Sequence, residues 1–350
     1  DWATGEVFAN AQNLARYWMD SPANLATPTI IAEHIQKLAS KIDNLEIHVR
    51  DQEWIKEKKM GAFLSVSKGS DEEPKIVEFH YNGGNANDKP LSFVGKGNYI
   101  YGGISIKPSS NMHAMKGDMG GAATVAASVL AIAQLKLPIN VRAAIALAEN
   151  MPSARATKPG DVVTAMNGKT IEVLNTDAEG RMVLSDTLYH VNSTYNPHTV
   201  FTVATLTGAI VVALGDPYTG AYASRHSLWQ ELEQASNTSG DLFWRMPFHP
   251  YYKSLMTGTN VADLQNIGAK NGGGSCSAAA FLREFVHLDK EVKEPVDWND
   301  DDTLPTRYGH LDIAAVMEAT SDSGYHTKGM TGRPTRTLIE YARLVSKKKF

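Results

Sequence analysis

Apolar residues recur along this chain with two periods, and the switches between those periods outline an alternating α/β protein. Ala11, Leu14, Ala15 and Trp18 share one helical face, and Thr27-Pro28 ahead of IIAEHIQKLASKI supplies an N-cap hydroxyl followed by a first-turn proline. The spacing predicts two opening helices. LEIHVR (45–50), IVEFHY (76–81) and LSFVG (91–95) are short, apolar or alternating, and bounded by Gly, Pro, Asn or Asp, which predicts strands. An Ala-rich helix follows Gly120-Gly121. After it come strands in NVRAAIALAE (140–149) and IEVL (171–174), a helix from about Glu179, and a strand in TVFTVATLTGA (199–209). Several of these strands are apolar throughout and so are expected to be covered on both faces, in a mostly parallel or mixed sheet sandwiched by helices.

The 350 residues suit one large α/β domain, or two tightly joined, without internal repeats or low-complexity tracts. One stretch breaks the pattern. HLDKEVKEPVDWNDDDTLPTRYG (287–309) is charged, holds two prolines and has no apolar period, and is expected to be a long surface loop, either solvated or a contact surface.

Charge and composition remove several function classes. A net charge of -4 offers no basic excess for nucleic acid or an anionic membrane surface. The longest apolar stretch, Ala122 to Leu135, is interrupted by Thr124, Ser128 and Gln134 and is shorter than the roughly 20 residues a bilayer span needs. With a single cysteine, Cys276, there is no intrachain disulfide, which fits a reducing compartment, cytoplasmic or mitochondrial. The first residues, DWATGEVFANAQNLARYW, have neither a signal-peptide core nor a transit-peptide composition.

Two clusters could carry chemistry. NTDAEGR (175–181) follows the apolar IEVL and precedes a helical run, so Asp177 and Glu179 are expected where a parallel strand ends, the place where open α/β sheets build their sites. Carboxylates at that spacing can hold a hard or borderline cation, but acids ahead of a helix also serve as caps. VGKGNYIYGGISIKPSSNMHAMKGDMGGA (94–122) joins paired glycines to Lys96, Lys107 and Asp118 just before a helix, and is equally open to a Gly-rich turn with an aspartate cap. No Gly-Lys-Ser or Gly-Lys-Thr ends it, so it is not a phosphate loop.

Both clusters in this order, with VGKG (94–97), GGISIKPSSNM (102–112), DMGGAA (118–123), ENMPS (149–153), KPGDVV (158–163), ATLTGA (204–209), WRMP (244–247) and GRPTRTLIE (332–340), resemble the leucyl (cytosol) aminopeptidase family over essentially the whole chain. The resemblance implies the leucine-aminopeptidase catalytic-domain fold, with the family's separate N-terminal domain absent from this chain. It also implies a homohexamer acting on peptide substrates with two divalent metal ions, Zn or Mn. Lys96, Asp118, Asp177 and Glu179 match metal ligands, and Lys107 and Arg181 match the two basic catalytic residues, the first at the developing oxyanion, the second holding a bicarbonate. Met115, Thr205, Leu206, Ala314 and Met317 match the pocket for a leucine-like side chain. Such a pair of ions would polarise the scissile carbonyl, anchor the free α-amine and activate a bridging water.

The resemblance fails at one point. The family's run resembles GKGxTFDSGG, with an aspartate that bridges the two ions. Here residues 95–103 read GKGNYIYGG, one residue shorter, and no Asp or Glu lies between Lys89 and Lys116. Two doubly charged ions about 4 Å apart repel by roughly 16 kcal/mol at an effective dielectric of 20 before ligands are counted, so losing a bridging anion is expected to leave partial or no occupancy. Asn98 or Tyr101 could offer a neutral oxygen as a poor substitute, and His113 stands where the family often has an acid. The sequence therefore supports a catalytically impaired pseudo-aminopeptidase with a structural or assembly role, as in the family's sperm-abundant paralogues. The retained residues support an active metal-dependent aminopeptidase as the alternative, and a peptide- or metal-binding module without turnover lies between the two.

Overall fold

The computed structural model describes residues 2–268, 272–288, 294–322, 324 and 327–348. The elements in chain order are α1 (Trp2–Asp20), α2 (Pro28–Ala39), β1 (Leu45–Arg50), α3 (Gln52–Glu57), α4 (Gly61–Ser67), β2 (Lys75–Asn82), β3 (Leu91–Ile100), α5 (Gly120–Gln134), β4 (Asn140–Asn150), β5 (Val162–Thr164), β6 (Thr170–Glu172), α6 (Gly180–Tyr195) and β7 (Thr199–Ala204). They continue as α7 (Gly208–Leu214), β8 (Thr219–Ala223), α8 (His226–Ser239), β9 (Phe243–Met246), α9 (Pro250–Ser254), β10 (Leu264–Gln265), α10 (Gly274–Arg283), β11 (Arg307–Asp312) and α11 (Thr335–Val345), with a small two-stranded pair between the last two.

Eight strands form the main sheet in the order β1-β2-β4-β3-β7-β11-β8-β9. Its centre, β4-β3-β7-β11, is parallel, and the flanks add antiparallel pairings of β1 with β2, β2 with β4, and β11 with β8. Side chains alternate between faces, and each face has its own core. Phe93, Ala143, Ile145 and Leu147 pack on one side with α1, α5 and α11, whereas Val94, Ala144, Ala146 and Ala148 pack on the other with α4, α6 and α10. The two opening helices form as expected, Thr27 accepting from the Ile30 amide at the start of α2. No helix among the described residues is long and apolar enough to cross a membrane.

Three expectations change. IEVL does not join the main sheet: β6 pairs only with β10 and β5 in a separate three-stranded sheet, so Asp177 and Glu179 follow a small side sheet and not a central parallel strand. β3 does not stop at Gly95 but continues to Ile100, with Gly95 and Gly97 inside it. A Cβ on Gly95 would lie 2.6 Å from the Gly121 carbonyl oxygen, and one on Gly97 2.8 Å from the Ala122 Cβ, so the bare strand lets α5 press directly on it. The true turn glycines are Gly102 and Gly103, at φ of +99° and +60°.

The third change concerns 287–309. Residues 289–293 lie outside the described part, and 294–306 have no helix or strand. Residues 307–309, however, open β11, which sits inside the main sheet between β7 and β8. Trp298, Asp301, Leu304 and Thr306 are buried. Asp301 forms an ion pair with the buried Arg283, whose guanidinium carbon lies 4.0 Å from the Trp298 ring centre. Asp301 is thus a charge of this stretch that is partnered inside the protein.

Candidate functional site

The ends of β3 and β7, the approach to α5 and the N-terminus of α6 converge on one cleft of about 280 Å³. Lys96, Lys107, Asp118, Asp177, Glu179 and Arg181 line it, together with Met115, Thr205, Leu206, Ala314 and Met317. Residues separated by more than two hundred positions in sequence thus meet in one place. Thr207 and Val211 also line it and were not foreseen; a Thr capping the short α7 at Ile210 carries no sequence signal for a binding role. Asn98 and Tyr101 do not line the cleft, and His113 is exposed outside it.

Local packing fixes each side chain. Lys96 leaves the α6 side of β3 and runs over Gly180, where a Cβ would stand 2.6 Å from the Lys96 Cε. Its ammonium donates to Asp118 Oδ1 at 2.7 Å and to the Asp118 carbonyl at 2.9 Å. The Thr205 hydroxyl, just past β7, donates to the same carboxylate. The loop after β7 is held by the buried Asp312, which accepts from the Leu206 amide at 3.1 Å and the Thr207 hydroxyl at 2.6 Å. The Gly102-Gly103 turn is tied to the 175–177 loop, because Thr176 Oγ1 donates to the Gly102 carbonyl at 2.7 Å and accepts from the Ser105 amide at 2.8 Å. This stitching brings Lys107 to Asp177, with Nζ 2.7 Å from Oδ1 and 2.8 Å from Oδ2.

The capping alternative is not what these acids do. Glu179 occupies the N-cap position of α6 without a side-chain cap bond, and Asp118 turns to Lys96 and Thr205 instead of to α5. Burial raises the Glu179 pKa to about 7, with the negative charges of Asp118 and Asp177 adding to the shift and Lys96 opposing it. Its Oε2 is buried without a hydrogen-bond partner among the described residues. Burial lowers the Arg181 pKa to about 10, against the pull of Glu179 and Asp312, and its Nε and Nη1 are likewise buried and unpartnered. Burial would lower the Lys107 pKa too, but the hydrogen bond and charge of Asp177 outweigh it and hold the ammonium above its ordinary value.

An orphaned buried carboxylate oxygen beside two further acids suits a divalent cation, and an orphaned buried guanidinium suits a small anion.

Residues 13–339 match the catalytic domain of the cytosol aminopeptidase family. The chain belongs to that family. It is 50% identical to the cytosol aminopeptidase of Homo sapiens over 343 residues, covering 97% of this chain and 63% of the human protein. It is also 50% identical to that of Xenopus tropicalis, covering 99% of this chain and 64% of the relative. The chain therefore spans slightly less than two thirds of the length of these relatives. Among solved structures it is similar to the bottromycin maturation enzyme BotP in complex with Mn, with a TM-score of 0.88 at 36% identity, covering 98% of this chain and 72% of that one. The family match accounts for the mixed sheet flanked by helices.

Proposed function

We propose that this family member binds the N-terminal residue of a peptide in the cleft, around a single divalent ion, and hydrolyses it far more slowly than a two-ion site would. One observation carries the proposal: the stretch from Pro90 to Met115 contains no acid that could bridge a second ion. Asp118, Asp177 and Glu179 would hold the cation. When bound, it supplies Lewis-acid polarisation of a carbonyl and a lowered pKa for a coordinated water, with Zn and Mn as the ions the family resemblance names.

The remaining chemistry belongs to the chain. Met115, Leu206, Val211, Ala314 and Met317 form an apolar wall that receives a leucine-like side chain and excludes water from it. Lys107, held protonated, places its charge at the cleft mouth, where a carbonyl oxygen gaining negative charge would be stabilised. Arg181 presents two free donors for a planar anion able to take up a proton.

A working aminopeptidase that releases N-terminal Leu-like residues is the second reading. It is favoured by the presence of all six matched polar side chains in one cleft. Hydrolysis of a chromogenic leucyl substrate, after loading with zinc, manganese or cobalt and against a chelator-treated control, separates the two. Turnover near 1 s⁻¹ or faster establishes the second reading, and turnover orders of magnitude slower with retained binding of a leucine-based inhibitor supports the first. A homohexamer with an assembly role completes the proposal. Exposed Val212, Trp244 and Tyr251 offer apolar area for it, and light scattering of the purified chain tests it.

A further inference from the structure

We propose that Glu46, His48 and His80 form a second metal site, at the outer edge of the main sheet, that binds one zinc-class divalent cation independently of the cleft. Strand geometry alone brings the three together. Glu46 and His48 are two residues apart on β1 and so share a face, and His80 on β2 stands directly opposite Glu46 and diagonal to His48. One ligand atom from each lies within 4.8 Å of the others. His48 Nε2 and Glu46 Oε2 are 3.7 Å apart, too far for a hydrogen bond and close to the roughly 3.3 Å that separates two ligands on a tetrahedral ion with bonds near 2.0 Å. The His48 and His80 rings meet edge to face with centres 4.5 Å apart.

Groups packed beside these side chains orient His80 through Tyr195 and Glu78. Glu78, buried behind the site, accepts from Arg50 Nε at 2.6 Å, His190 Nε2 at 2.8 Å and the Tyr195 hydroxyl at 2.7 Å. The single hydroxyl proton of Tyr195 is thereby committed to Glu78. His80 Nε2, 2.9 Å from the same hydroxyl oxygen, must then be the donor in that contact. This fixes the Nε2–H tautomer of His80 and leaves Nδ1 with a free lone pair, the arrangement by which a carboxylate acting through an intermediary orients a metal-binding histidine. Arg142, whose guanidinium is bound to the Tyr81 carbonyl and Asn82 Oδ1, opposes a cation here, while Glu46 and Glu78 offset it. Glu46 is exposed and His48 about one third exposed, which gives an ion direct entry, and two imidazoles with one carboxylate favour zinc, copper or nickel over magnesium or calcium.

The test is zinc stoichiometry of the whole chain by equilibrium dialysis, together with long-range ¹H–¹⁵N spectra of its histidine rings. The wild type is expected to bind one zinc equivalent that His48→Ala lacks, and zinc addition should shift His80 Nδ1 while Nε2 stays protonated. Glu46→Gln and Tyr195→Phe should each weaken that equivalent about tenfold, with melting curves confirming that the variants fold. Metal binding in the cleft is read separately, because leucine-based inhibitor binding should be unaffected by His48→Ala. Equal zinc stoichiometry in wild type and His48→Ala, or an unshifted His80 Nδ1, would overturn the proposal.

Discussion

The Lys107 ammonium straddles the Asp177 carboxylate, 2.7 Å from one oxygen and 2.8 Å from the other. A cation that takes Asp177 as a ligand has to displace this lysine. Lys107→Met is therefore expected to tighten manganese binding by about tenfold, or 1.4 kcal/mol, while abolishing any residual leucyl hydrolysis. Isothermal titration beside a peptidase assay checks this, and unchanged manganese affinity would show that Lys107 moves aside freely.

Gly180 has a space requirement as specific as any polar contact. In a helix, glycine to alanine ordinarily stabilises by up to about 1 kcal/mol. Here the added methyl would stand 2.6 Å from the Lys96 Cε and 2.9 Å from the Leu206 Cδ1. Gly180→Ala should therefore lower the melting temperature and reduce metal affinity at least tenfold. A variant as stable as the parent would mean that Lys96 has another route.

An aspartate inserted between residues 100 and 101 restores the length and the acid that the family resemblance implies. Chelator-sensitive release of leucine should then rise about a hundredfold over the parent, comparable to what an angstrom-scale repositioning of catalytic groups is worth. A folded insertion variant with no gain would show that the missing acid is not what limits turnover.

Asp301 and Arg283 are both fully buried. Removing one partner strands the other charge, so Asp301→Ala should cost about 3 to 5 kcal/mol in urea unfolding. A loss under 1 kcal/mol would return 294–306 to the status of a surface loop.

Glu78 sets the acid limit of the sheet edge. Its pKa falls from 4.5 to about 2: burial alone would raise it, but the hydrogen bonds from His190, Tyr195 and Arg50 outweigh that. A carboxylate with a depressed folded pKa stabilises above its unfolded value and loses that contribution as the pH drops through the folded one. Wild-type stability should fall by on the order of 3 kcal/mol between pH 4.5 and 2 from this group alone. Glu78→Gln should flatten that part of the curve, as measured by denaturant titration at each pH.

Much of the centre of the fold was legible because β3 opens on LSFV, β4 carries the run AAIALA and β7 is largely apolar, and the motif clusters marked the cleft. What escaped had physical reasons. Gly95 and Gly97 look like a turn, although they are strand positions cleared for α5. RYGHLD looks polar, although it is β11: its Arg307 pairs with Glu231 at the sheet margin, and Asp312 accepts bonds from the loop after β7. IEVL has the composition of a core strand but only two short neighbours. The interlocking of Lys107 with Asp177 had no trace in the sequence, since it depends on the Thr176 stitching of two distant loops.

Lys96, Asp118 and Thr205 also act as rivets, joining β3, the lead-in to α5 and the loop after β7 through buried hydrogen bonds. Replacing any of them would leave a buried polar group stranded and threaten the fold itself. Asn98, by contrast, holds nothing: both ends of its side-chain amide are unpartnered among the described residues. The segment after Lys96 is thus less tied down by side chains than the three residues that rivet the cleft. Lys96, Asp118 and Thr205 therefore answer to the architecture of the sheet as well as to any chemistry in the cleft.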